Sequence, residues 1–159
     1  MAPLIALIAT FATLFAINKF AFGGRLSLSQ VGRFAMAVML TVTGIAHFTS
    51  TELMVDMMPD AIPLKREMVH FTGVCELAAV LGLIWNKTSR LASILLIVFF
   101  LLVLPANIAG SLKQVPLGGM DNGAYYLLFR IPLQFLFIFW VWYFGLKLNS
   151  SAPPERERS

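Results

Sequence analysis

Charged side chains and cysteines are both scarce in this chain. Asp, Glu, Lys and Arg together make up 13% of the 159 residues, whereas hydrophobic residues make up 58%. That is too little polar surface for a soluble domain of this size, so the composition excludes an ordinary water-soluble fold. The single cysteine, Cys75, excludes an intrachain disulfide and any site that needs several cysteine ligands. The sequence therefore indicates a protein that contacts a lipid bilayer.

A concentrated basic segment is also missing. The net charge of +4 comes from Lys and Arg residues that are scattered around apolar segments. Proteins that bind nucleic acid gather positive charge on one face or one segment, so we expect no nucleic-acid partner. Basic residues that flank apolar runs orient membrane helices instead.

Five apolar runs are long enough to cross a bilayer as helices, which takes about 20 residues each. They predict an all-α, polytopic membrane domain over residues 1–149. The positive charges of the first run follow it rather than precede it, so we expect a retained helix and not a cleaved signal sequence. The predicted spans are residues 3–22, 31–48, 68–85, 91–108 and 124–145.

The distribution of Lys and Arg predicts an orientation. Most basic residues fall at one end of the spans, including Arg33, Lys87 and Lys147, and the positive-inside tendency makes this end cytoplasmic. The N-terminus would then lie outside the bacterial cytoplasmic (inner) membrane, and the C-terminus inside. Residues 150–159 are polar and contain prolines, which predicts a disordered cytoplasmic tail.

The two connections at the outer end are long and differ in character. Residues 52–58 predict a short interfacial helix that is ended by Pro59, with Ser50 or Thr51 as its N-cap. Residues 110–122 contain three glycines and predict an irregular lid.

Two charges lie more than one helical turn inside the predicted spans, Glu76 in the third and Arg130 in the fifth. An unpaired charge at membrane depth costs at least about 2.5 kcal/mol, so such residues usually pair and mark a functional site. On the predicted topology both fall in the outer half of the membrane, at depths that an arginine side chain can bridge. We therefore expect Glu76 and Arg130 to meet in the interior of the bundle.

Helical spacing places other polar side chains on the same faces as these charges. Thr72 lies four residues before Glu76, and Arg130 is spaced by four from Tyr126 and from Gln134. Further polar residues fall near the outer rim of their helices. We call the whole predicted set the polar cluster; it consists of His47, Thr72, Glu76, Asn107, Tyr126, Arg130 and Gln134.

The polar cluster also has purely structural interpretations. Glu76 and Arg130 would lock two helices together without binding a ligand, and Asn107 and Gln134 would form interhelical hydrogen bonds or compensate backbone carbonyls freed by prolines. Methionines near the outer connection would, together with His47, suit Cu(I). Their spacing matches no ligand motif, so we predict no metal site.

Several short segments, taken together and in order, resemble the DoxX-like family of small bacterial membrane proteins. The resemblance covers roughly residues 30–146. It implies a four-helix membrane bundle, to which residues 3–22 would add an N-terminal helix. It also implies that the family's His, Glu, Asn, Arg and Gln correspond to members of the polar cluster. The segments are Gly44-Ile-Ala-His47-Phe48, Thr72-Gly73-Val-Cys-Glu76-Leu77, Pro105-Ala106-Asn107-Ile108 and Arg130-Ile-Pro132-Leu-Gln134.

The resemblance implies redox chemistry, because relatives are associated with quinone-linked oxidoreductases, redox stress or membrane-protein assembly. The protein would be a membrane subunit that binds a quinone or a similar amphipathic molecule. Arg130 and Asn107 would hold its oxygens, and Glu76 or His47 would exchange protons. The sequence carries no signal for flavin, haem or an iron–sulfur cluster, so electrons would come from a partner protein, and the chain would not be a self-sufficient enzyme.

Two alternatives stay open at this point. A non-catalytic membrane accessory or chaperone would hold a partner protein with its outer connection. A small-solute carrier would have to oligomerise, because one short bundle lacks the paired inverted halves of many transporters. The sequence alone leaves the ligand, any turnover and the oligomeric state undecided.

Overall fold

The computed structural model describes residues 2–21 and 23–150, and all regular structure in these ranges is helical. The predicted all-α class is therefore confirmed. The last long helix is continuous, because α6 runs through a π-helical turn, Trp142–Lys147, into α7. The helices are α1 (Ala2–Phe20), α2 (Leu28–Thr49), α3 (Thr51–Met57), α4 (Lys65–Ile84), α5 (Ser89–Leu112), α6 (Ala124–Val141) and α7 (Leu148–Ser150), with a 3₁₀ turn at Met120–Asn122.

Five of these helices are long and apolar enough to cross a membrane, in agreement with the predicted number of spans. They correspond to α1, α2, α4, α5 and the continuous helix that begins with α6. Their lengths and outward-facing apolar side chains are those of a multi-pass membrane protein. Ser150 still belongs to α7, and the rest of the predicted tail, residues 151–159, lies outside the described residues.

The observed helices extend beyond the predicted spans at their polar ends. The third span begins at Lys65 and not at residue 68, and the fourth reaches Leu112 and not residue 108. These extra turns lie outside the apolar run, so hydropathy gives no sign of them. The predicted interfacial helix is present as α3, although its N-cap Ser50 forms no side-chain capping bond. Thr51 instead donates from Oγ1 to the His47 carbonyl at 2.7 Å.

Four of the long helices surround a shared core. Helix α2 packs on α4, α4 on α5, and α5 on α6, while the end of the last helix returns to α2 and closes the ring. In this order α4 and α6 are separated by α2 on one side and α5 on the other. Helix α1 lies outside the ring and packs against α2. Its Phe11 also contacts the last long helix, edge-on against Trp140 and beside Phe144.

Arg33 is buried, contrary to its interpretation in the sequence. The charge count treated it as a basic residue that flanks a span, but its side chain is only 2% exposed. Arg33 Nη1 donates to the Leu83 carbonyl at 3.2 Å and Nη2 donates to Asn86 Oδ1 at 2.6 Å. Leu83 is in the last turn of α4, where carbonyls lack helical donors and the helix dipole favours a cation. Arg33 therefore caps α4 and joins it to α2.

We predict that the Arg33 to Asn86 hydrogen bond stabilises the fold by about 1.5 kcal/mol, because it is a bond to a charged group. Asn86→Ala should lower the free energy of unfolding by about that amount, measured by denaturant unfolding in detergent. In an Arg33→Met background the same change should cost less than about 0.5 kcal/mol. Asn122→Ala is the matched control, since Asn122 bonds only the nearby Gly119 carbonyl. Equal costs in both backgrounds would contradict the assignment.

Ion pairs between side chains link the two connections at the α3 end. Asp60 accepts from Lys65 Nζ at 3.0 Å and from Lys113 Nζ at 2.8 Å, and Lys113 also donates to the Met58 carbonyl at 3.0 Å. Hydrogen bonds from Lys113 and then Lys65 hold the pKa of Asp60 below its usual range. The chain after α3 is thus fastened to the end of α5.

This linkage predicts a loss of order in acid. Because the folded pKa of Asp60 is depressed, its stabilising effect is present above the unfolded pKa of about 3.9 and is lost as the pH falls through the folded value. Amide hydrogen exchange near Met58, corrected for intrinsic pH effects, should rise below about pH 4. Asp60→Asn should show the faster exchange already at neutral pH. Asp56→Asn, an exposed change in α3, should behave like the unmodified protein.

Candidate functional site

The members of the polar cluster occupy one end of the helix ring, the end that carries α3. His47 is in the last turn of α2, and Thr72 and Glu76 lie in the middle turns of α4. Asn107 is near the end of α5, and Arg130 is in the second turn of α6. The antiparallel course of the helices brings these positions to a common level. All four helices of the ring therefore contribute to the site.

Close packing of α2 on α4 brings His47 and Glu76 together. A Cβ placed on Gly73 would lie 2.7 Å from the His47 Cβ, so only a glycine allows this approach. His47 Nε2 is 3.5 Å from Glu76 Oε1, and the two side chains are 15% and 10% exposed. The other carboxylate oxygen, Oε2, accepts from Thr43 Oγ1 at 2.5 Å. The carboxylate thus has its partners on α2.

The opposite edge of the His47 ring is also held. Its Nδ1 is 3.0 Å from the Val69 carbonyl and 3.2 Å from Thr72 Oγ1, which itself donates to the same carbonyl at 2.9 Å. These contacts fix the ring orientation on the side facing away from Glu76. The sequence singled out Thr72 by its spacing, but no sequence signal pointed to the backbone of Val69. His70 lies at the rim, where Nε2 is 3.3 Å from Thr51 Oγ1.

Arg130 does not pair directly with Glu76, contrary to the expectation from the sequence. The salt bridges among the described residues include none between them. Arg130 Nη2 donates to Asn107 Oδ1 at 2.8 Å, while its Nε is buried and has no acceptor within residues 2–21 and 23–150. Since α4 and α6 are not neighbours in the ring, the two charges face one interior from separate walls.

The remaining members of the polar cluster support the helices that carry the charges. Gln134 donates to the Phe100 carbonyl at 2.6 Å, beside the carbonyl of Leu101 that Pro105 leaves without its helical donor. Gln134 therefore bonds the carbonyl next to the one that Pro105 frees, so the predicted compensation is not observed at Leu101 itself. Tyr126 is buried under Gly119, where an added Cβ would lie 2.9 Å from the ring. The 110–122 connection thus covers Tyr126.

The two buried guanidinium groups differ in how well they are satisfied. Arg33 has two acceptors, including a carbonyl at the end of α4, although its Nε, like that of Arg130, is buried without an acceptor among the described residues. Arg130 has a single acceptor, Asn107, in the part of the chain that the structure describes. A guanidinium carries five N–H donors, so Arg130 keeps more of them available. This comparison makes Arg130 the stronger candidate for contact with a ligand.

The structure adds no support for the copper alternative. The described residues contain no group of three or more His, Cys, Asp or Glu side chains that could hold a metal ion. The methionines near the α3 end also differ in exposure, since Met58 is buried and Met68 is 40% exposed.

Comparison with known proteins places the chain in a family. Residues 36–145 match the family described as a domain of unknown function, DUF8561. The chain belongs to the DUF8561 family. The whole polar cluster, from His47 to Gln134, lies within the DUF8561 match, whereas α1 and Arg33 precede it. No curated protein and no solved structure matches the chain.

We predict that Gly73→Ala separates α2 from α4 and destabilises the protein by about 1–3 kcal/mol, as overpacking in a filled core does. The new methyl group would meet the His47 Cβ and the Phe48 ring. Gly44→Ala on the same interface is the control, because its Cβ would meet the flexible end of Leu77. Thermal unfolding in detergent should give Gly73→Ala a clearly lower melting temperature than Gly44→Ala. Equal melting temperatures would mean that α2 and α4 can accommodate a Cβ at position 73 as easily as at position 44.

Proposed function

We propose that this protein is a DoxX-like integral membrane protein that binds a quinone or a similar small amphipathic molecule beside Arg130. The observation that carries the proposal is the partly buried Arg130 guanidinium, which has one protein acceptor among the described residues where the guanidinium of Arg33 has two. A buried cationic donor without an acceptor is costly, and a carbonyl oxygen from a ligand would satisfy it. Asn107, which orients Arg130, would help to hold the same oxygen.

The surroundings of Arg130 fit a quinone head group better than a polar metabolite. The site lies among helices whose outer faces are apolar, so a lipid-soluble molecule reaches it most easily from the bilayer. Chemistry on a quinone also requires a group that exchanges protons, and His47 with Glu76 lies on the facing helices. These features support a role as a membrane subunit of a redox system, with electrons supplied by a partner protein.

The resemblance and the topology support the remaining parts of the proposal. The ring of α2, α4, α5 and α6 with α1 outside it agrees with a DoxX-like bundle that has an added N-terminal helix. The charge distribution favours the bacterial cytoplasmic membrane, with the α3 end outside.

Quinone binding tests the proposal directly. The full-length protein in nanodiscs should bind a short-chain benzoquinone saturably, measured by quenching of tryptophan fluorescence and by thermal shift. Arg130→Met should weaken binding about 10- to 150-fold, the equivalent of losing about 1.5–3 kcal/mol from a charged hydrogen bond. Arg33→Met is the matched control, because it removes a buried guanidinium from the other end of the bundle and should leave the affinity unchanged.

The stability of Glu76→Gln, of Arg130→Met and of the double variant distinguishes ligand binding from a pairing that only holds two helices together. A lock requires that Glu76→Gln and Arg130→Met each unfold the protein and that the double variant regain stability. The ligand-binding proposal requires folded single variants with independent effects on stability. Absence of saturable quinone binding in the unmodified protein would overturn the proposal in favour of an accessory protein or a carrier.

A further inference from the structure

The hydrogen bonds of His47 assign its tautomer. The Val69 carbonyl, 3.0 Å from Nδ1, can only accept a hydrogen bond. The Thr72 hydroxyl donates its own proton to the same carbonyl. Nδ1 must therefore carry a hydrogen, and any change in the protonation of His47 takes place at Nε2.

It costs free energy for His47 Nε2 and the Glu76 carboxylate to lack a proton at the same time. They are 3.5 Å apart, and in a neutral imidazole with hydrogen on Nδ1 the lone pair of Nε2 faces the carboxylate oxygen. Both side chains are largely buried, so water screens this repulsion poorly. One proton, on Nε2 or on Oε1, turns the repulsion into an attraction.

Thr43 accommodates either position of that proton. Its Oγ1 is 2.5 Å from Glu76 Oε2 and 3.3 Å from the carbonyls of both Met39 and Leu40. The hydroxyl donates to Glu76 when the carboxyl group is ionised. It keeps donating to Oε2 when the proton lies on Oε1, because Oε2 is then a carbonyl oxygen that can only accept. Neither protonation state leaves a buried donor or acceptor without a partner.

We propose that His47 and Glu76 form a proton-binding pair that holds one proton between them near neutral pH. The use of this proton in chemistry rests on the proposed function, but its presence does not depend on a ligand. The proton leaves or enters as H⁺, with no change in oxidation state.

Several charged and titratable groups surround the pair. Arg130 on α6 faces the same interior. Tyr126 on α6 and both His70 and Cys75 on α4 are further titratable side chains near this level, and α5 contributes the uncharged Asn107. In α3, Glu52 and Asp56 are exposed, and α1 has no charged side chain before Lys19.

The packing below the pair determines where the proton exchanges. An apolar layer fills the ring between the pair and Arg33, and its residues are at most 5% exposed. Such a layer offers no polar group to relay a proton. Exchange therefore occurs at the α3 end. The layer includes Met36, Met39, Leu40, Leu83, Leu96 and Phe137.

Spectroscopy on the unliganded full-length protein in nanodiscs tests the pair. A His70→Gln background leaves His47 as the only histidine, so its ¹⁵N signals report one ring. Between pH 6 and 8 we expect both ring nitrogens protonated, or else an infrared band of a protonated carboxyl group that Glu76→Gln removes. A neutral imidazole beside an ionised carboxylate across this range would overturn the proposal.

Variants measure the coupling within the pair. Glu76→Gln should lower the midpoint of His47 protonation by at least about one pH unit, since an adjacent carboxylate shifts such a group by about 1–3 units. Thr43→Val should also move the midpoint, whereas Thr41→Val should not, because Thr41 bonds only the Ala37 carbonyl of its own helix. Unchanged midpoints in both Glu76→Gln and Thr43→Val would refute the pair.

The outcome is separable from that of the proposed function. Quinone binding is lost with Arg130→Met, while the shared proton is observed without any quinone. A bound proton in a protein that binds no quinone would leave the pair intact and refute only the ligand.

Discussion

The cost of burying charge in an apolar bundle determines how this structure is arranged. The guanidinium groups of Arg33, which is buried, and Arg130, which is partly buried, are held by amide and carbonyl oxygens and not by carboxylates. Arg33 uses the carbonyl end of α4, where the helix dipole supplies the compensating negative charge. The only acid in the interior of the ring, within the described residues, is Glu76, and its partners are His47 and Thr43. Charges of opposite sign therefore share one interior without neutralising each other directly, which leaves donors and acceptors for other partners.

The sequence predicted the elements and the level of the site because both depend on patterns along one helix. Apolar length gave the five spans, and spacing by four put Thr72 with Glu76 and Arg130 with Gln134. The pairing of the charges could not be predicted, because it depends on which helices are neighbours in the ring. Glu76 faces Arg130 across the bundle, but its nearest wall is α2.

Arg33 illustrates a second limit of the sequence. Counting basic residues records their position along the chain and not the direction of their side chains, so Arg33 looked like any other residue that flanks a span. Its burial depends on Asn86 and on the end of α4, about fifty residues away in the sequence. The close approach at Gly73 has the same character, since a glycine in an apolar helix does not reveal which neighbour it admits. The extra polar turns of α4 and α5 escaped prediction because hydropathy ends before the helix does.

The ion pair between Asp60 and Lys113 joins the connection between α3 and α4 to the end of α5. Because the Asp60 side chain is 83% exposed, the pair contributes little to stability and is weakened by salt. The coupling between the two connections at this end of the bundle should therefore depend on ionic strength, whereas the apolar contacts within the ring should not.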